Sequence, residues 1–124
     1  MPLASICCKQ GIPTFRVTVN DRLQAGERFV TIAHELGHIF CGHLGACTYG
    51  GGKHEESGWP DRRSIGRHEK EVEAEATAYL VASRAGLVTS SAAYLKAHVK
   101  QANIRCIDVD LPQALLATAD EVIE

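Results

Sequence analysis

The chain has 124 residues, a net charge of −2, and 45% hydrophobic and 23% charged residues. This suits a single soluble domain spanning 1–124 and lacks the basic footprint of a dedicated nucleic-acid binder. No apolar run approaches the roughly 20 residues of a membrane span, and no signal-peptide pattern is present.

Met1 to Ile12 has no clear period, and adjacent Cys7 and Cys8 read as structural or partly exposed thiols. Thr14 to Val19 is β-branched and aromatic and predicts a strand, ended by Asn20-Asp21. Gln24-Ala25-Gly26 is a turn into a helix expected at about 27–44. Within that helix lies His34-Glu35-Leu36-Gly37-His38, an HExxH motif. Histidines four apart on a helix project one turn apart on one side, where both can hold one divalent metal, and the adjacent glutamate can reach a water on it.

A helical projection at about 100° per residue tests whether the segment faces the right way. Glu27, Thr31, His34, Glu35, His38 and Gly42 share a narrow polar arc. Phe29, Val30, Ile32, Ala33, Leu36, Ile39, Phe40 and Leu44 form a broad apolar face expected against the core. Cys41 lies nearer that apolar side, so a buried small hydrophobe is its expected role rather than a metal ligand. The five cysteines include no CxxC pair, and with no leader they are expected reduced in a cytoplasmic protein.

Residues 45–66 form a long connection with Gly50-Gly51-Gly52 and Ser57-Gly58-Trp59-Pro60. Its place directly after the motif helix suits a flap, with a mobile insertion as the plain alternative. A second helix is expected from Arg67 to Ala85, stopped by Gly86. On its projection Glu71 and Glu75 fall in a stripe of alanine, valine and tyrosine that should face inward, with His68 on the same arc. Glu69 and Glu73 fall on the opposite side, expected to be solvated. Inward carboxylates need a cation or donors, and a metal held by the two histidines would supply one. Residues 88–124 complete the chain with a helix at about 92–101, capped by Thr89-Ser90-Ser91, and an amphipathic helix at about 110–123. His98 is expected on the surface.

With both helices in view, RFVTIAHELGHIFCGH (28–43) and EVEAEATAYLVASRAGL (71–87) resemble the ImmA/IrrE family of metallopeptidase domains. The second motif also resembles the metallopeptidase region of ArdC-type antirestriction proteins. The resemblance implies an α+β, mainly helical, minimal zincin-like domain: a short N-terminal sheet, and the HExxH helix packed on a second, glutamate-bearing helix. It implies zinc held by His34, His38 and Glu71, with manganese or iron as alternative ions, and Glu35 as catalytic base. By the pattern of related gluzincins, Glu75 would orient a metal-binding histidine. An oxyanion donor is also expected, with Tyr49, His54, His68 and Tyr79 as candidates. The implied activity is zinc-dependent endopeptidase action on a specific protein, such as a DNA-binding repressor or antitoxin. A non-catalytic metal-binding interaction module and an antirestriction-type domain are the alternatives. No direct nucleic-acid or membrane binding is expected.

Overall fold

The computed structural model describes residues 3–9, 12–45 and 60–102. Strands β1 (Ala4–Lys9) and β2 (Ile12–Val17) pair antiparallel, with Ala4 opposite Val17 and Ile6 opposite Phe15. Helices α1 (Ala25–Phe40), α2 (Arg67–Arg84) and α3 (Ser91–Val99) follow. The architecture is α+β and mainly helical, as expected from the sequence. β1 has no counterpart in the sequence reading, and β2 begins two residues before the predicted strand. The Asp110–Ile123 helix, Cys47, Cys106 and most of the proposed flap lie outside the described residues.

α2 is the central element, packed on α1 on one side and on α3 on the other. Its close approach to α1 is set by small residues. A Cβ placed on Gly37 would lie 2.9 Å from Ala74 Cα and 3.1 Å from Thr77 Cβ. On the other side, Val72 and Leu95 are fully buried, and Tyr79, Val99 and Ala102 pack against them. All five residues from Val72 to Ala76 are buried.

That enclosure corrects the expectation of a solvated face on α2. Glu73 is fully buried, and its carboxylate accepts two hydrogen bonds from the Arg62 guanidinium, each 2.7 Å. Glu69 is also buried, its carboxyl lying over Gly66 at the helix start, where the dipole favours negative charge. The apolar face of α1 is corrected in the opposite sense. Ala33 and Ile39 are buried, but Phe29, Ile32, Leu36 and Phe40 are exposed. Val81, expected inward on α2, is likewise exposed.

α1 stops at Phe40 rather than reaching Leu44 because Gly42 takes a left-handed conformation, φ 79°. Gly42 N–H donates to Ile39 C=O and His43 N–H to His38 C=O, the paired bonds of a Schellman turn. This turn folds the chain back so that His43 comes to lie beside His38. The same arrangement ends α2 at Gly86, φ 80°, with Leu87 N–H donating to Ala82 C=O. Pro60 then rests on Gly42, and Arg62 N–H donates to Gly42 C=O at 2.8 Å. Arg62 thereby reaches both the Cys41 carbonyl and Glu73.

Two substitutions test this packing. Alanine normally gains about 1 kcal/mol over glycine inside a helix. Gly37→Ala should instead lower stability by about 1–3 kcal/mol, because the added methyl meets α2 backbone; urea unfolding of the metal-free protein measures it, and a gain would contradict the close crossing. Arg62→Met should lower stability by about 3 kcal/mol, since it leaves a buried carboxylate without its guanidinium. A loss below about 1 kcal/mol in the same assay would contradict that role.

Candidate metal centre

His34 and His38 project from α1 toward Glu71 on α2, and their Nε2 atoms converge on its carboxylate. His34 Nε2 lies 3.2 Å from His38 Nε2 and 3.2 Å from Glu71 Oε2, and His38 Nε2 lies 3.4 Å from Glu71 Oε1. Ligand atoms at about 2.0–2.1 Å from a tetrahedral ion stand roughly 3.3 Å from one another. The nitrogen–nitrogen separation, and the separation of each nitrogen from its nearer carboxylate oxygen, are therefore of the size one coordination tetrahedron requires, and these side chains form one of two groups among the described residues that could hold a metal.

The other ring nitrogen of each histidine is also engaged. His34 Nδ1 donates to Glu75 Oε2 at 2.8 Å, and Glu75 Oε1 accepts from Ser91 Oγ at 2.7 Å. Both oxygens of Glu75 are thus held facing away from the convergence point. Within the Thr89-Ser90-Ser91 segment expected as a helix cap, Ser90 is the N-cap residue and makes no side-chain cap bond, while Ser91 bonds Glu75 and Thr89. His38 Nδ1 lies 2.8 Å from His43 Nδ1, and His43 Nε2 donates to Glu73 Oε1 at 2.6 Å. Glu35 is buried and lines a cleft of about 420 Å³ with His34, His38, Glu71 and Tyr94.

Electrostatics follow from this clustering. Burial pushes the His34 imidazole down, but hydrogen bonds to Glu71 and Glu75 outweigh it and raise its pKa to about 9. Burial likewise pushes Glu71 up, yet its bonds with His34, His38 and Tyr94 hold it well below the usual carboxylate range. His43 is lowered, chiefly by burial. A cluster whose imidazole and carboxylate stabilise each other's charged forms is suited to exchange the imidazole proton for a cation.

Tyr94 on α3 was not a sequence candidate. Its hydroxyl donates to Glu71 Oε2 at 2.5 Å, and its ring stands edge-on to His34, 5.5 Å between centroids. Burial and the bond to Glu71 raise its phenol above the usual range, so it keeps its proton. In the cavity over the two histidines it carries the only hydroxyl among the described lining residues. His68 pairs with His98, Nδ1 to Nδ1 2.9 Å, and His98 is half-buried against Tyr94 rather than on the surface. Tyr79 packs against the Val72–Leu95 core. Tyr49 and His54 lie outside the described residues.

No signal short of tertiary structure marks Tyr94, because it lies 23 residues beyond Glu71 on a separate short helix. His43 had one: the Gly42-His43 pair after an amphipathic run is the sequence form of a helix C-terminus that doubles back.

Comparison with known proteins gives one finding of weight. The family model for the IrrE N-terminal-like domain (Peptidase_M78) matches residues 8–101, which include both motif helices and α3. No curated protein and no solved structure matches the chain. Among the described residues, no helix is long and apolar enough to cross a membrane. The match covers most of the chain, and the chain therefore belongs to the IrrE N-terminal-like domain family of peptidases.

Proposed function

We propose that the protein is a zinc-dependent endopeptidase, with His34, His38 and Glu71 as metal ligands and Glu35 as general base. The observation that carries the proposal is the convergence of the two imidazole nitrogens, 3.2 Å apart, on the Glu71 carboxylate, whose oxygens lie 3.2 Å from His34 Nε2 and 3.4 Å from His38 Nε2. Two neutral imidazoles and one carboxylate suit a catalytic zinc site, which keeps a fourth position open. A zinc ion held there supplies a Lewis acid for water and for the scissile carbonyl.

The protein's own groups do the rest. Glu35 takes the proton of the attacking water and delivers it to the departing amine nitrogen as the C–N bond breaks. Glu75 keeps the His34 proton on Nδ1, leaving Nε2 free for the ion. Tyr94, which keeps its proton, turns its one O–H from Glu71 to the carbonyl oxygen as that oxygen gains charge.

Endopeptidase action is favoured by the shape around the site. The cleft over the histidines adjoins a second cavity through His34, Glu35 and Tyr94, and that cavity adjoins a third through Val30, Thr31, Glu75 and Ser90. Room for a chain thus continues from the ligand residues past Glu35 and Tyr94 toward Thr31 and Ser90. By the family resemblance the substrate is a regulatory protein, such as a DNA-binding repressor or an antitoxin.

Glu35→Gln should keep one equivalent of zinc but lower cleavage of such a substrate about a hundred- to ten-thousand-fold; cleavage at the wild-type rate would contradict the assignment. Tyr94→Phe should lower kcat about a hundred- to a thousand-fold with little change in KM, as steady-state cleavage rates will show. Metal analysis of His34→Ala and Glu71→Ala should find most zinc lost, and a full equivalent in both variants would remove the proposed ligand set.

A further inference from the structure

We propose that His43, Glu73 and Arg62 form a buried positioning chain that fixes which nitrogen of His38 carries its proton. The inference rests on His34, His38 and Glu71 being the metal ligands. His38 Nε2 faces the other two ligand atoms, so it must present a lone pair and the ring's proton must sit on Nδ1. That Nδ1 lies 2.8 Å from Nδ1 of His43. Two nitrogens at this distance share one proton, and His43 Nδ1 is therefore the acceptor. Its own proton is then on Nε2, which lies 2.6 Å from Glu73 Oε1. Glu73, with no solvent access, is held as a carboxylate by Arg62 through Nη1 to Oε1 and Nη2 to Oε2, both 2.7 Å. From the ligand triangle to the guanidinium, one assignment of protons satisfies every contact.

The consequence is a symmetry between the two ligand histidines. His34 is backed by a carboxylate directly, through Glu75. His38 is backed by a carboxylate at one remove, through the His43 ring. Such backing fixes the imidazole's orientation and raises its basicity toward the metal, and hydrogen bonds in series polarise one another. The Schellman turn at Gly42 makes this possible, since it alone returns His43 to the side of α1 that carries His38.

Cys41, His43 and Glu73 also form the second group with atoms close enough to hold an ion. Their geometry favours the positioning role. His43 Nε2 and Glu73 Oε1 are at hydrogen-bond distance, well inside the roughly 3.3 Å that ligands on one tetrahedral ion require. A cation there would also sit beside the Arg62 guanidinium.

The test uses the full chain with zinc alone as probe. Long-range proton–nitrogen correlation spectra of the zinc-loaded wild type should show His38 protonated on Nδ1 and His43 on Nε2. His43 protonated on Nδ1 overturns the proposal, and this spectrum decides even if a variant fails to fold. In competition with a chromophoric chelator, His43→Leu should bind zinc about 10- to 100-fold more weakly. His43→Gln, which keeps one acceptor and one donor, should recover part of that loss. Equal affinity in all three proteins overturns the chain while leaving the ligand set intact. A wild type that takes up no zinc overturns both, and a second equivalent that disappears in Cys41→Ser shows the group to be a metal site instead.

Discussion

A carboxylate taken out of water must be met by donors or a cation within bonding reach, and α2 buries three of them at Glu69, Glu73 and Glu75, with Glu71 half-buried beside them. Much of the surrounding structure answers that demand. Arg62 is brought in by the chain returning over Gly42, His43 by the turn that ends α1, and Ser91 by the start of α3. The two motif histidines and Tyr94 also face Glu71 or Glu75. A small helical domain spends its interior on charge because the charge assembles a site.

Close packing makes the assembly possible. Gly37 lies inside the HExxH motif itself, and its lack of a side chain lets α2 approach at Ala74. With a larger residue there, Glu71 would stand further from His34 and His38. The same glycine that spaces the ligands therefore belongs to the fold as much as to the motif.

Much of this was legible in the sequence, and the limits have physical causes. The two helical projections brought His34 and His38 to one side and turned Glu71 and Glu75 inward, because a 3.6-residue period is a property of the backbone alone. Glu73 was misplaced because a projection assumes one wet face, whereas α2 is enclosed by α1, α3 and residues 60–62. β1 was missed because Ala4-Ser5-Ile6-Cys7-Cys8-Lys9 lacks a clean alternation, and only pairing with β2 makes it a strand. The overlong α1 came from treating Gly42 as one more helical position. Tyr94 depends on how α3 returns across α2, which no local pattern encodes.

The central claim is that the two helices together hold one metal through His34, His38 and Glu71. Zinc X-ray absorption fine structure of the protein loaded with one equivalent tests it most directly. The account predicts nitrogen and oxygen scatterers at about 2.0–2.1 Å, with two imidazole signatures and no sulfur. A sulfur scatterer at about 2.3 Å would place the ion on a cysteine and contradict the account.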